Sequence, residues 1–314
     1  MIRSLYSGVS GMKNHQIRMD VTGNNIANVN TTGFKKGRAN FQDTLYQTIS
    51  SGGNSKNPAQ VGAGMSVGSI NNDFGQGATQ NTGRTLDMAI QGDGFFAVSN
   101  AKSDLITAGN VTPKTDPADL KANYTREGVF FVDKDGYIVN SGGMNLIGQT
   151  AGVNTPNDKS DDAYGAIRVL LEDDTSTPAV PLSIEALTIS PDGKITGTYT
   201  NGNPVKFDYG SGSYNDSTSL TEARIAIVTF ANNEGLIKEG QNVYKENVDT
   251  SGAAVFGVPN GESQQINSGY LEMSNVDLTE EFTTMITTQR GYQANARVIT
   301  TSDSMLEELI NLKR

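Results

Sequence analysis

Apolar residues recur every seven positions at both ends of the chain and fall into short runs between them. Near the start, Leu5, Met12, Met19 and Ile26 keep that spacing, with Ile2 and Val9 three residues ahead of Leu5 and Met12. Near the finish, Leu278, Met285, Tyr292, Ile299 and Leu306 keep it over five positions. A sustained repeat of seven holds one narrow stripe of a helix against a partner, so both ends are expected to be coiled-coil helices. The second ladder is flanked by Thr283, Thr284, Thr287, Thr288 and Gln289, whereas a helix packed on a globular core shows a wider apolar face. The ladders are therefore expected to pair with each other or with those of neighbouring copies. Together these eleven residues form a predicted self-assembly seam.

The first helix is expected over about Ile2–Val29, weakened at Gly8, Gly11 and Gly23 by about 1 kcal/mol each relative to Ala. Residues 28–34 (Asn-Val-Asn-Thr-Thr-Gly-Phe) end it, and residues 35–49 read as mixed helical and irregular. The last helix is expected from about Val276, with Asn275 or Ser274 as N-cap and Asp277, Glu280 and Glu281 in its first turn. Lys313 and Arg314 suit its negative end.

Between the helices, strand signals take over. Residues 88–98 read as two strands about a Gly92-Asp93-Gly94 hairpin turn. Residues 129–132 and 137–139 flank Asp133-Lys134-Asp135-Gly136, and 187–189 and 194–196 flank Ser190-Pro191-Asp192-Gly193, two further hairpins. Ile225–Phe230 reads as a central strand, and the polar stretches 100–122 and 151–162 as surface insertions. The expected class is α+β. Residues 1–30 and 276–314 would form a discontinuous α-helical coiled-coil domain, 31–75 an extended connector, and 76–150 with 184–275 a β-rich outer domain. Residues 151–183 would be a short insertion or a vestigial second outer domain.

Composition narrows the function. Only 36% of residues are apolar, 35 are Gly and none is Trp, which fits extended, turn-rich β structure better than one compact globule. With no Cys there is no disulfide or thiol nucleophile. His15 is the single histidine, which excludes Ser-His-Asp chemistry elsewhere and most histidine metal sites. The net charge of −10 leaves an acidic body behind a basic first 50 residues and argues against nucleic acid as a partner. Gln16 and Gly23 interrupt the N-terminal stripe, against a helix lying on a membrane, and no secretory signal is visible.

Motifs that mimic catalytic or metal sites fail on detail. Counted from Asp133, a calcium loop needs Gly at position 6 and Glu at position 12, where Ile138 and Met144 stand. The carboxylates of Asp161-Asp162 and Glu172-Asp173-Asp174 sit in polar loops with nothing to hold them in a cleft. No enzyme, cofactor, metal or small-molecule substrate is expected. A carbohydrate- or surface-binding β module with incidental helical ends is the alternative of a different class.

The run Asn24-Asn25-Ile26-Ala27-Asn28-Val29-Asn30-Thr31-Thr32-Gly33-Phe34-Lys35, preceded by Ser7-Gly8-Val9-Ser10-Gly11-Met12, resembles the signature of the bacterial flagellar rod and hook proteins. The segments 269–278 and 289–296 resemble that family's closing motif, and Gly92-Asp93-Gly94-Phe95-Phe96 its middle one. In the opening motif the matching residues are Asn24, Asn25, Ala27, Asn28, Asn30, Thr32, Gly33 and Phe34. The resemblance implies an axial component of the flagellum, exported without a cleaved signal by the flagellar type III apparatus and polymerised into a hollow helical tube. It also implies rod, hook-cap and hook–filament junction proteins as partners. Residues 274–282 with Thr300-Thr301-Ser302-Asp303, and the length of the insertions, are most similar to the hook branch, whose tube passes torque from rod to filament while bending. Residues 41–47 resemble the distal-rod branch, which is the alternative.

Overall fold

The computed structural model describes residues 2–52, 57–100, 122–150, 163–173, 180–181, 183–208, 222–259 and 264–312. The chain forms two compact units: residues 1–30, 35–75 and 275–314 in one, residues 31–34 and 76–274 in the other. The first holds both long helices and the second is built of strands, so the expected α+β class is the class observed.

In the helical unit the first helix spans Ile2–Ala27 and the last Leu278–Leu312. The cap of the last helix differs from expectation. Asp277 takes the role: its carboxylate accepts the Thr279 N–H at 2.8 Å, and such backbone bonds hold its pKa below the usual carboxylate range. Asn275 is engaged elsewhere, accepting the Lys36 N–H at 2.9 Å and donating to the Asp73 carbonyl at 2.8 Å. Lys313 and Arg314 lie outside the described residues.

Residues 35–49 are not helical or irregular. Gly37–Asp43 pairs antiparallel with Met65–Asn72 across a bulge at Asn40/Phe41, and Tyr46–Ser50 pairs with Ala59–Gly62. Every residue of the two outer strands is exposed, so no alternation of buried and solvated positions marks them in the sequence. The inner strands sit on the first helix: Asn14 donates to the Met65 carbonyl at 2.6 Å, and the Phe41 ring meets His15 edge-on at 6.2 Å.

The β unit is organised around one antiparallel sheet. Phe95–Ser99 and Asn145–Thr150 lie at its middle, each bonded to several neighbours. Ala223–Ile225 and Ile227–Thr229 break at Ala226, so the first pairs with 145–150 and the second with 95–99. The central position expected for 225–230 is the one observed. Phe96, Phe130, Ile138, Leu146, Ile225 and Ile227 form the buried core.

Two of the three expected hairpins form, with Ile138 opposite Val132 and Ile195 opposite Ile189, and with Gly136 and Gly193 at φ 84° and 72°. The third does not. Met88–Gln91 pairs with Gln265–Ser268, while Phe95–Ser99 enters the main sheet, so Gly92-Asp93-Gly94 is a corner between sheets. A Cβ at Gly94 (φ 135°) would stand 2.4 Å from Ile227 Cγ2, which explains why Gly fits there. Of the expected insertions, 101–121 and 151–162 lie outside the described residues. Ala163–Ala166, by contrast, is a strand of the main sheet, paired with 147–150.

The candidate assembly surface

The two long helices pack antiparallel, and small or polar residues line their contact. Gly8 faces Ile299, Gly11 faces Asn295, and Gly291 faces His15. A Cβ added at Gly11 would stand 2.6 Å from Asn295 Nδ2, and one at Gly291 2.8 Å from His15 Nε2. These glycines leave room for the Ile299, Asn295 and His15 side chains of the facing helix, which offsets the helix propensity they forgo. The residues most hidden on the two helices are Asn14, Thr22 and Asn25 on one, and Glu281, Thr288 and Ser302 on the other. Thr288 and Ser302 return their hydroxyls to the carbonyls of Thr284 and Val298, at 2.7 and 2.8 Å.

Glu281, Thr288, Asn295 and Ser302 are themselves spaced by seven, as are Gly8, His15 and Thr22. Gly8, His15 and Asn295, which meet across the helices or border the contact, fall in these repeats beside the apolar one. An apolar search passes over them; small and polar residues in a strict repeat of seven were the available signal.

The predicted seam residues hold an intermediate position. Leu5, Met12, Met19, Ile26, Met285, Ile299 and Leu306 are half-buried, while Val9, Leu278 and Tyr292 are exposed. The Ile2 side chain lies outside the described residues. The structure brings Ile299 against Gly8. Around the ladder, Phe282, Ile286, Val298, Met305, Leu309 and Ile310 also stand in solvent, Ile310 at 70%. Carried on at the register of the Gly8, Gly11 and His15 contacts, Ile2 falls opposite about residue 304, leaving about two turns of the last helix past the first. Apolar patches of this extent on a folded protein mark interaction surfaces.

His15 is a titratable group at the contact. Burial first, and then the neighbouring Arg18 guanidinium, hold its pKa below the ordinary 6.5, and its Nδ1 is buried with no hydrogen-bond partner. Among the described residues no group of His, Asp or Glu could hold a metal ion, and no helix is long and apolar enough to cross a membrane.

The opening motif has local structural work. Asn25 bonds the Gly37 backbone twice, Oδ1 accepting its N–H at 3.0 Å and Nδ2 donating to its carbonyl at 2.8 Å, so the chain reverses from helix to strand. Asn28 donates to the Asn24 carbonyl at 2.9 Å and closes the last turn. Ala27 and Asn30 are exposed. Thr32, Gly33 and Phe34 belong to the β unit.

Residues 5–35 match the family model for flagella basal body rod proteins, and residues 267–312 the model for the C-terminal region of the flagellar basal body rod FlgEFG proteins. The chain is 40% identical over 323 residues to the flagellar basal-body rod protein FlgG of Bacillus subtilis, with all of both chains covered. It is 31% identical over 463 residues to the flagellar hook protein FlgE of Borreliella burgdorferi, and 34% over 322 to that organism's FlgG, again with full coverage of both chains. Full-length kinship of this kind, with both terminal segments matched, makes the chain a member of the flagellar rod and hook family: a structural subunit of the flagellar axis at the level of basal body and hook, and not an enzyme.

Proposed function

We propose that the chain is the subunit of the flagellar hook, polymerising into a flexible hollow tube that passes torque from rod to filament. The observation that carries this reading is a comparison within one organism. Against Borreliella burgdorferi, 31% of 463 aligned positions gives about 144 identities with the hook protein, whereas 34% of 322 gives about 109 with the rod protein. The hook alignment is 149 positions longer than the 314 residues here, so that hook protein carries segments this chain lacks. A subunit with a small outer body fits the short insertions of the sequence.

The distal rod is the second reading. It is favoured by the rod protein of Bacillus subtilis, where 40% of 323 gives about 129 identities. In either case the terminal ladders and the exposed residues around them would meet other copies, each apolar side chain covered contributing about 1.5–3 kcal/mol. Export by the type III apparatus, and the rod, cap and junction proteins as neighbours, follow from the same reading.

Electron microscopy of a strain lacking the gene tests it. The hook reading expects complete straight shafts with the curved segment missing. Loss of the distal shaft itself would overturn it in favour of the rod.

A further inference from the structure

One strand of the β unit carries no buried side chain. Thr79, Gln80 and Asn81 are all exposed, whereas their partner strand Tyr270–Glu272 buries Leu271 and Glu272. Apolar burial therefore does not hold 79–81 in place, and the bonds that do are polar. Just ahead of the strand, the Gly77 N–H donates to Glu272 Oε1 at 2.9 Å, and the Met273 N–H donates to the Ala78 carbonyl at 2.8 Å. A Cβ at Gly77 would stand 2.0 Å from the Met273 carbonyl oxygen, so glycine is required for this close pass. The Gln76 amide reaches the Ile90 carbonyl at 3.4 Å and the Gly92 N–H at 3.5 Å, which are long bonds. At the other end the Thr82 hydroxyl donates to the Asp87 carboxylate at 2.7 Å, a firmer tie.

The carboxylate that receives Gly77 belongs to a buried ion pair that is only partly satisfied. Glu272 meets Arg126 through one contact of 3.3 Å, longer than the about 2.7–2.9 Å of a good charge-assisted bond. Arg126 also donates from Nη2 to the Gly92 carbonyl at 2.9 Å, and its guanidinium lies 5.4 Å from the Phe95 ring centroid. Its Nε is buried with no hydrogen-bond partner. A charged group left short of one bond in a dry core carries an unrecovered desolvation cost. Water reaching the pair would supply the missing acceptor.

We propose that residues 76–81 form a strap, tethered at Thr82, that lifts from strand 270–272 and admits water to the Arg126–Glu272 pair while the main sheet stays folded. Lifting takes no apolar side chain of 79–81 out of a core, and it returns hydration to charges that lack it. Segments with few buried apolar contacts are the ones that open locally below the global unfolding free energy. Nothing in this device depends on whether the chain builds hook or rod.

Hydrogen exchange in the full-length chain tests it. The Gly77 and Met273 amides should exchange roughly tenfold or more faster than those of strand 95–99 and of Gly269, whose N–H is held by the Asp87 carbonyl at 2.7 Å. Their exchange should also change little in urea below the unfolding transition, because a small opening exposes little surface. Arg126→Met combined with Glu272→Gln removes both charges and keeps an acceptor for the Gly77 N–H. In that variant Met273 exchange should slow by about tenfold, whereas Arg126→Met alone, which strands the Glu272 charge, should quicken it. A Met273 amide in the parent that is as protected as 95–99, or as steeply dependent on urea, overturns the strap. Met273 exchange that is unchanged or faster in the neutral double variant overturns the part assigned to hydration of the pair.

Discussion

In the β unit the largest apolar side chains are inside: Phe95, Phe96, Phe130 and Leu146 have no accessible surface. In the helical unit the hidden positions are Gly8, Asn14, Thr22, Thr288 and Ser302, while Phe282, Ile286, Met305 and Ile310 face solvent. The β unit buries most of its large hydrophobic residues within its own sheet core. The helical unit spends much of its internal contact on small and polar residues, which bury little apolar area and leave apolar side chains in solvent. A unit of that kind is marginal alone, because helices draw most of their stability from the packing of an apolar face.

The sharpest way to break the contrast is at the exposed end of the last helix. Met305→Asp with Leu309→Asp is expected to abolish tube formation, as read by sedimentation and microscopy, while the melting of the β unit stays within about 0.5 kcal/mol of the parent. Tubes of normal length from this variant would remove the helix end from the assembly surface.

The mirror experiment is Phe96→Ala, which should destabilise the β unit by about 3–5 kcal/mol in denaturant unfolding. Exchange of the helical amides should be unaffected until that unit unfolds.

Gly291→Ala addresses the close approach. Its methyl would meet the His15 ring, and the helical unit should lose about 1–3 kcal/mol in its own unfolding transition. A neutral result would mean that the helices are held by something other than close contact.

The smallest effect expected is in pH. The folded-state pKa of His15 is depressed, so the unfolded chain binds more protons near and below pH 6.5. Stability of the helical unit should be complete above that value and fall as pH drops through it toward the folded pKa. His15→Gln should flatten that slope in melts taken between pH 7.5 and 5.

Several elements were legible because their signals are local. The turns at 133–136 and 190–193 pair glycine at positive φ with flanking apolar runs, and that combination leads to a hairpin whatever surrounds it. Gly92-Asp93-Gly94 carries the same signal but is a corner, because 265–268 competes for Met88–Gln91 and a local rule cannot see a partner about 175 residues away. The hairpin of 37–72 was missed for a different reason, since its outer strands have no buried face to produce a pattern. On the two long helices the apolar repeat was legible, but the Gly and polar residues at their mutual contact were not.

By itself the sequence determined two heptad-bearing helices at the ends, a β-rich middle, and the absence of cysteine and so of thiol chemistry. These follow from side-chain period and composition, which are properties of neighbouring residues. Only the tertiary structure decided which face of each helix the other takes, where 88–91 pairs, and that Gly33 sits against the backbone of Glu127. Those outcomes depend on contacts between distant segments, where the space left by one segment decides what another can occupy.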